Sequence, residues 1–352
     1  MIEVIFHLLK ALFMKKKYFF CALFYLVFCS ITISANVSKD IYASKDSLIT
    51  STIFQSKTSQ INYTPEFQQI MKNFSAYKLV ENIKLIEKLE NEVNENSFEM
   101  GVLAYYKAYL YLEFDDFTKI QEEKNLIEKI IPELKDKDQK ILLTCYSNMI
   151  SIYKAEAQKN KSDEFLYATK NINMLDFIKN KNWHYLVFKG KNATILANYF
   201  VKEKKFEEAA KYAELSSKYY SELRDPYYFT FYYRTKGYLE STNENPEKAL
   251  EYYKKMMEIV YKEHSTYNAY SYYPMVAMAY KKMGDDEKSA NYLLKFKMTN
   301  DTIQKEKKLA ENYLKTNFEK NLKSQENKKR NYFLFFGFIL IIFDYPFNYP
   351  SL

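Results

Sequence analysis

Glycine and proline are scarce in this chain, at 5 and 7 of 352 residues. That scarcity argues against a β-sandwich or barrel, in which each hairpin wants a Gly, Asn or Pro at its turn. Cysteine is nearly absent from the body. Cys21 and Cys29 lie in an N-terminal apolar run and only Cys145 remains, so no internal disulfide framework is available. Arginine is the third shortage: Arg224, Arg234 and Arg330 are the only ones among 52 basic residues. Arginine is the usual reader of phosphates and base edges. Of the net charge of +8, the first 35 residues carry +3 and the stretch from Lys328 carries +2, so +3 is left for the body. Those charges are interspersed, and nucleic-acid binding by this part of the chain is not expected.

Hydrophobic residues, by contrast, make up 47% and aromatics 18% of the chain, with 35 tyrosines. This is ample for a core, and the expected class is all-α. The two ends read as membrane-related. Met14-Lys15-Lys16-Lys17 followed by apolar Tyr18 to Ile33 and then Ser34-Ala35 has the basic, apolar and small-residue order of a secretory signal over 1–35, with Met14 a better start than Met1. Residues 36–65 are rich in Ser, Thr, Asn and Lys and read as a linker. Tyr332 to Phe343 is an apolar run that breaks at Asp344-Tyr345-Pro346. A span needs about 20 such residues, so 332–352 reads as a truncated transmembrane segment and tail. This order places the body outside the inner membrane, in the periplasm or its equivalent. Lys328-Lys329-Arg330 ahead of the run oppose that topology by the positive-inside tendency.

Between the ends, over 66–299, amphipathic helical patterns alternate with short polar joins, and an internal period emerges. Lys205-Phe206-Glu207-Glu208-Ala209-Ala210, Asn245-Pro246-Glu247-Lys248-Ala249-Leu250 and Asp285-Asp286-Glu287-Lys288-Ser289-Ala290 align, so that Ala209, Ala249 and Ser289 recur 40 apart. Twelve residues before each stands another small one: Ala197, Gly237 and Ala277. A helical hairpin wants one small residue per helix where the two backbones approach, and no single hairpin buries its core alone. The register extends to Ala108-Tyr111 with Asp115-Asp116-Phe117, and to Ile150-Tyr153 with Phe165-Ala168.

On these residues the chain resembles the tetratricopeptide family, whose unit of about 34 residues is shorter than the period here. The resemblance implies an α-solenoid with a concave groove lined by the first helix of each hairpin. Carried onto this sequence, the groove positions are Lys191, Thr194 and Asn198 in one repeat and Phe231, Arg234 and Tyr238 in the next, a mixture that suits an extended peptide or protein segment. The Lys–Asn clamp that some members use on a carboxylate terminus is not reproduced.

Residues 300–331 carry a thin apolar stripe of Ile303, Ala310, Leu314, Phe318 and Leu322 on a charged helix, suited to a stalk or a homodimer seam. The order of signal, repeats, charged juxtamembrane helix and span resembles bacterial membrane-bound regulators with a helix-turn-helix or histidine-kinase output, which is missing here. The expected function is the sensory part of such a regulator. The alternative is an envelope adaptor without signalling output.

No catalytic constellation, metal site or cofactor motif is expected. His184 and His264 have no ligand companion at metal spacing. The pairs Asp115-Asp116 and Asp285-Asp286 fall at hairpin turns, where Asp caps the following helix.

Overall fold

The computed structural model describes residues 64–344. The segments expected to be signal and linker lie outside them, apart from Thr64 and Pro65, as does the tail after Asp344. Among the described residues there are twelve α-helices, one 3-10 turn and no strand. The helices are α1 (Thr64–Ser75), α2 (Leu79–Glu90), α3 (Phe98–Leu112), α4 (Phe117–Glu133), α5 (Lys137–Ala157) and α6 (Lys161–Leu175), then α7 (Trp183–Lys202), α8 (Phe206–Leu223), α9 (Phe229–Thr242), α10 (Pro246–Lys262), α11 (Thr266–Lys282) and α12 (Asp286–Asp344). The described residues form an all-helical unit of repeat-like construction.

The twelve helices pair as six consecutive hairpins, and the same turn closes each. One residue per turn adopts a left-handed backbone: Tyr77, Asp115, Lys159, Lys204, Glu244 and Gly284, with φ from 55° to 77°. The following N–H reaches back five residues to a helical carbonyl, as in Lys205 N–H to Phe200 O (2.9 Å), Asn245 to Glu240 (2.9 Å) and Asp285 to Tyr280 (3.0 Å). This is a Schellman closure, which satisfies carbonyls that the end of a helix leaves open. Only one of the six positions is glycine, so the turns left little composition signal.

The small residues of the repeat stand where the helices touch. Ala197, Ala209, Ala249, Ala277 and Ser289 are all buried. At Gly237 a β-carbon would overlap the Tyr253 ring, and at Gly190 the Tyr220 ring. Both tyrosines are fully buried, so a large residue on the second helix fills the gap left by a small one on the first.

The row of hairpins closes on itself. Ser75 at the end of α1 and Ser265 before α11 share a buried hydrogen bond, and Tyr77 stacks on Tyr267. The α12 helix then lies along α2. Ile303 and Ala310 are buried in the core cluster that holds Leu79, Ile83 and Ile86, and Leu314 packs at its edge. Glu87 accepts from the Tyr313 hydroxyl (3.3 Å) and from Asn317 Nδ2 (3.2 Å), while Glu306 accepts from the Val80 N–H (3.2 Å). The stripe expected to form a stalk or dimer seam therefore packs, through these three residues, against the first hairpin of its own chain. Burying an Ile side chain is worth about 2 kcal/mol, and that gain is realised here within one chain.

The α12 helix also crosses the boundaries expected near 300 and 332 without a break: the second helix of the last hairpin and the charged helix are one element. No helix among the described residues is long and apolar enough to cross a membrane.

Candidate functional site

Side chains three and four apart share one face of a helix. Lys191, Thr194 and Asn198 have that spacing on α7, and Phe231, Arg234 and Tyr238 have it on α9. All six line one chamber of about 520 Å³ on the inner side of the closed row. The first helix of every hairpin contributes to its wall. From α1 come Met71 and Phe74, from α3 Tyr105 and Tyr109, from α5 Tyr153 and Glu156, and from α11 Tyr267, Asn268 and Ser271. The positions implied by the resemblance cover two of these six helices. The same spacing on α3 and α5, in Tyr105-Tyr109 and in Ile152-Glu156, would have extended the wall.

Local structure holds these groups in place. Asn182 caps α7 by accepting from the Tyr185 N–H (3.1 Å). Asp225 accepts from the Tyr227 N–H (3.0 Å) and opens the 3-10 turn Pro226–Tyr228 that leads into α9. Thr235 donates to Asn198 Oδ1 (3.1 Å), linking α9 to α7. The Thr194 and Tyr220 hydroxyls lie 3.0 Å apart. The Arg234 guanidinium lies over the Phe231 ring, 5.7 Å from its centroid, an arrangement that keeps a cation at an aromatic face.

The electrostatics of the chamber are uneven. Lys202 pairs with Glu164 at 3.7 Å. Burial raises the Glu164 carboxyl above the usual range, Lys202 opposes that shift, and the nearby Glu156 adds to it. Lys191 has no such company. Loss of solvation between the walls pushes its ammonium down to about 8, with no carboxylate acting to restore it. Among the described residues neither Lys191 nor Arg234 has a hydrogen bond or ion pair within the chain. Burial also pushes the Tyr220 and Tyr227 hydroxyls up, so they stay protonated and can donate. The chamber thus offers hydroxyl donors, two cations without an ion pair and an aromatic wall.

The other residues singled out in the sequence sit elsewhere. His184 is buried among Phe67, Phe98 and Trp183, and its Nδ1 shares a 2.6 Å hydrogen bond with the Tyr146 hydroxyl. His264 occupies a left-handed position in the exposed turn before α11. Asp116 accepts from the Lys119 N–H (3.1 Å) and Asp285 from the Lys288 N–H (3.0 Å), both as helix caps. Among the described residues no group of three or more His, Cys, Asp or Glu is placed to hold a metal ion.

No family model matches the chain. No curated protein matches it either. Among solved structures, the chain is similar to a crystal structure of BtubC (BKLC) from P. vanneervenii, at 14% identity over 68% of this chain and 93% of that one, with a TM-score of 0.45.

Proposed function

We propose that this chain is a tetratricopeptide-type binding domain, the sensory part of a membrane-bound regulator, and that it takes its ligand on the inner face of the row of hairpins. The observation that carries this reading is the convergence in one chamber of Lys191, Thr194, Asn198, Phe231, Arg234 and Tyr238 with side chains from every other inner helix. The tetratricopeptide assignment is supported by the twelve-residue spacing of small residues and by their burial where helices meet. A peptide or protein partner would present only a compact portion to the chamber, because the first and last hairpins are joined. Binding there would act on α11, which forms one wall and leads directly into α12. The stripe of α12 that lies on α2 would be the route by which occupancy reaches the C-terminal end.

The test is photo-crosslinking of the full chain in intact cells, with a benzophenone amino acid replacing Tyr238 inside the chamber or Tyr261 on the exposed face of α10. Adducts at the inner position and not at the outer one support the sensory reading. Envelope proteins captured at Tyr261 alone would favour the adaptor.

A further inference from the structure

We propose that the chamber seats a small organic anion, with its acidic group between the Lys191 ammonium and the Arg234 guanidinium and its apolar body against the tyrosine wall. This rests on the reading of the inner face as the ligand site and narrows what occupies it.

The argument begins with charge. Five Lys, Arg and Glu side chains line the chamber: Lys191, Lys202, Arg234, Glu156 and Glu164. Glu164 pairs with Lys202 at 3.7 Å, and Glu156 stands near enough to Glu164 to raise its carboxyl, while neither carboxylate pairs with Lys191 or Arg234. Lys191 and Arg234 are left as cations without a counter-ion, on inner helices that are neighbours in the row. Both side chains are half-buried, and an incoming anion would supply the charge partner that each lacks. Lys191 supplies a point charge, and Arg234 supplies the planar fork that matches a carboxylate or phosphate. It is also the one arginine lining the chamber.

The remaining lining fits the body of such a ligand. Tyr105, Tyr109, Tyr153 and Phe231 supply ring faces and edges, and Tyr227 and Asn268 supply polar groups at a second point. The volume of about 520 Å³ falls within the range of about 300–1,000 Å³ typical of small-molecule sites. An open groove would favour an extended peptide. The Ser75–Ser265 junction closes this one, which favours a compact ligand.

Lys191 itself provides a reporter. Its lowered proton affinity makes the amine reactive near neutral pH. The probes are pyridoxal phosphate and pyridoxal, which share a ring and an aldehyde and differ in the phosphate. The lysine amine and the aldehyde condense to an imine with loss of water, and borohydride then reduces the C=N bond to a stable secondary amine. Peptide mass spectrometry on the full chain reads labelling at Lys191 relative to the exposed Lys218. With the phosphate held by Arg234, the aldehyde is presented to the neutral Lys191 amine. The expected ratio of Lys191 to Lys218 labelling is about tenfold higher for pyridoxal phosphate than for pyridoxal, the ratio cancelling the hemiacetal that slows pyridoxal at every lysine. Arg234→Met should abolish that discrimination while leaving pyridoxal labelling at Lys191 above Lys218. Equal ratios with the two probes overturn the anion seat and leave the chamber as a ligand site. No labelling of Lys191 above Lys218 by either probe overturns both. A misfolded Arg234→Met variant declares itself by losing the preference for Lys191 with both probes.

Discussion

Tyr77 and Tyr267 stack with their rings parallel and offset, centroids 5.5 Å apart and planes 4° from parallel, although they belong to the first and last hairpins of the row. The Tyr77 hydroxyl also donates to Glu113 at 2.7 Å, so the contact ties α3 to the same junction. Aromatic pairs are worth about 1 kcal/mol beyond the area they bury. A double-mutant cycle with Tyr77→Leu and Tyr267→Leu should return a coupling energy of that size, read from denaturant unfolding. Additive effects of the two substitutions would mean that the ends of the row do not meet in solution.

The close approach at Gly237 gives a second expectation. Replacing an exposed helical Gly by Ala gains about 1 kcal/mol. At Gly237 the added methyl would overlap the buried Tyr253 ring, and overpacking costs about 1–3 kcal/mol. Gly237→Ala should therefore lower the thermal midpoint, and Gly237→Ala with Tyr253→Leu should recover part of the loss.

The hairpin turns make a reciprocal pair of tests. Lys204 holds φ of 58° and Gly284 holds φ of 77°, at equivalent positions. A side chain in this region costs about 1 kcal/mol relative to glycine. Lys204→Gly should raise stability by about 1 kcal/mol. Gly284→Ala should lower it by a similar amount, since no neighbouring atom lies near the added carbon and only the backbone strain remains. Chemical denaturation of the three proteins reads both effects.

Burial also sets a pH dependence. Desolvation pushes the His184 imidazole down to about 4 from its ordinary value of 6.5. The unfolded chain then binds a proton between those two values while the folded chain does not, so stability is complete above pH 6.5 and falls as pH drops toward 4. The full loss from this one group is about 3 kcal/mol. His184→Gln should flatten that part of the curve of thermal midpoint against pH.

The helical class and the hairpin register were legible because they rest on period and residue size: Ala197 with Ala209 and Gly237 with Ala249 mark helix crossings that any backbone of this kind must have. The positions on α7 and α9 came from the tetratricopeptide resemblance, and they line the chamber. The turns were not legible, because Tyr77, Asp115, Lys159, Lys204 and Glu244 adopt a backbone usually signalled by Gly. Closure was not legible either. The stripe of Ile303, Ala310 and Leu314 shows an apolar face but does not say whether a second chain or α2 of the same chain covers it. Serine at 75 and 265 carries no periodic signal at all.

Closure of the row is the claim on which the chamber depends, and one cross-link tests it. Ser75 and Ser265 have their hydroxyls in hydrogen-bond contact, and Ser265 also donates to the Ser75 carbonyl at 3.2 Å. In the full chain with Cys21 and Cys29 replaced by serine, Ser75→Cys and Ser265→Cys should form an intramolecular disulfide on mild oxidation and leave the buried Cys145 reduced. Mass spectrometry should then show a monomer with the 75–265 peptide pair linked. Free thiols at both positions, or linkage only between chains, would contradict closure and leave an open row of hairpins in its place.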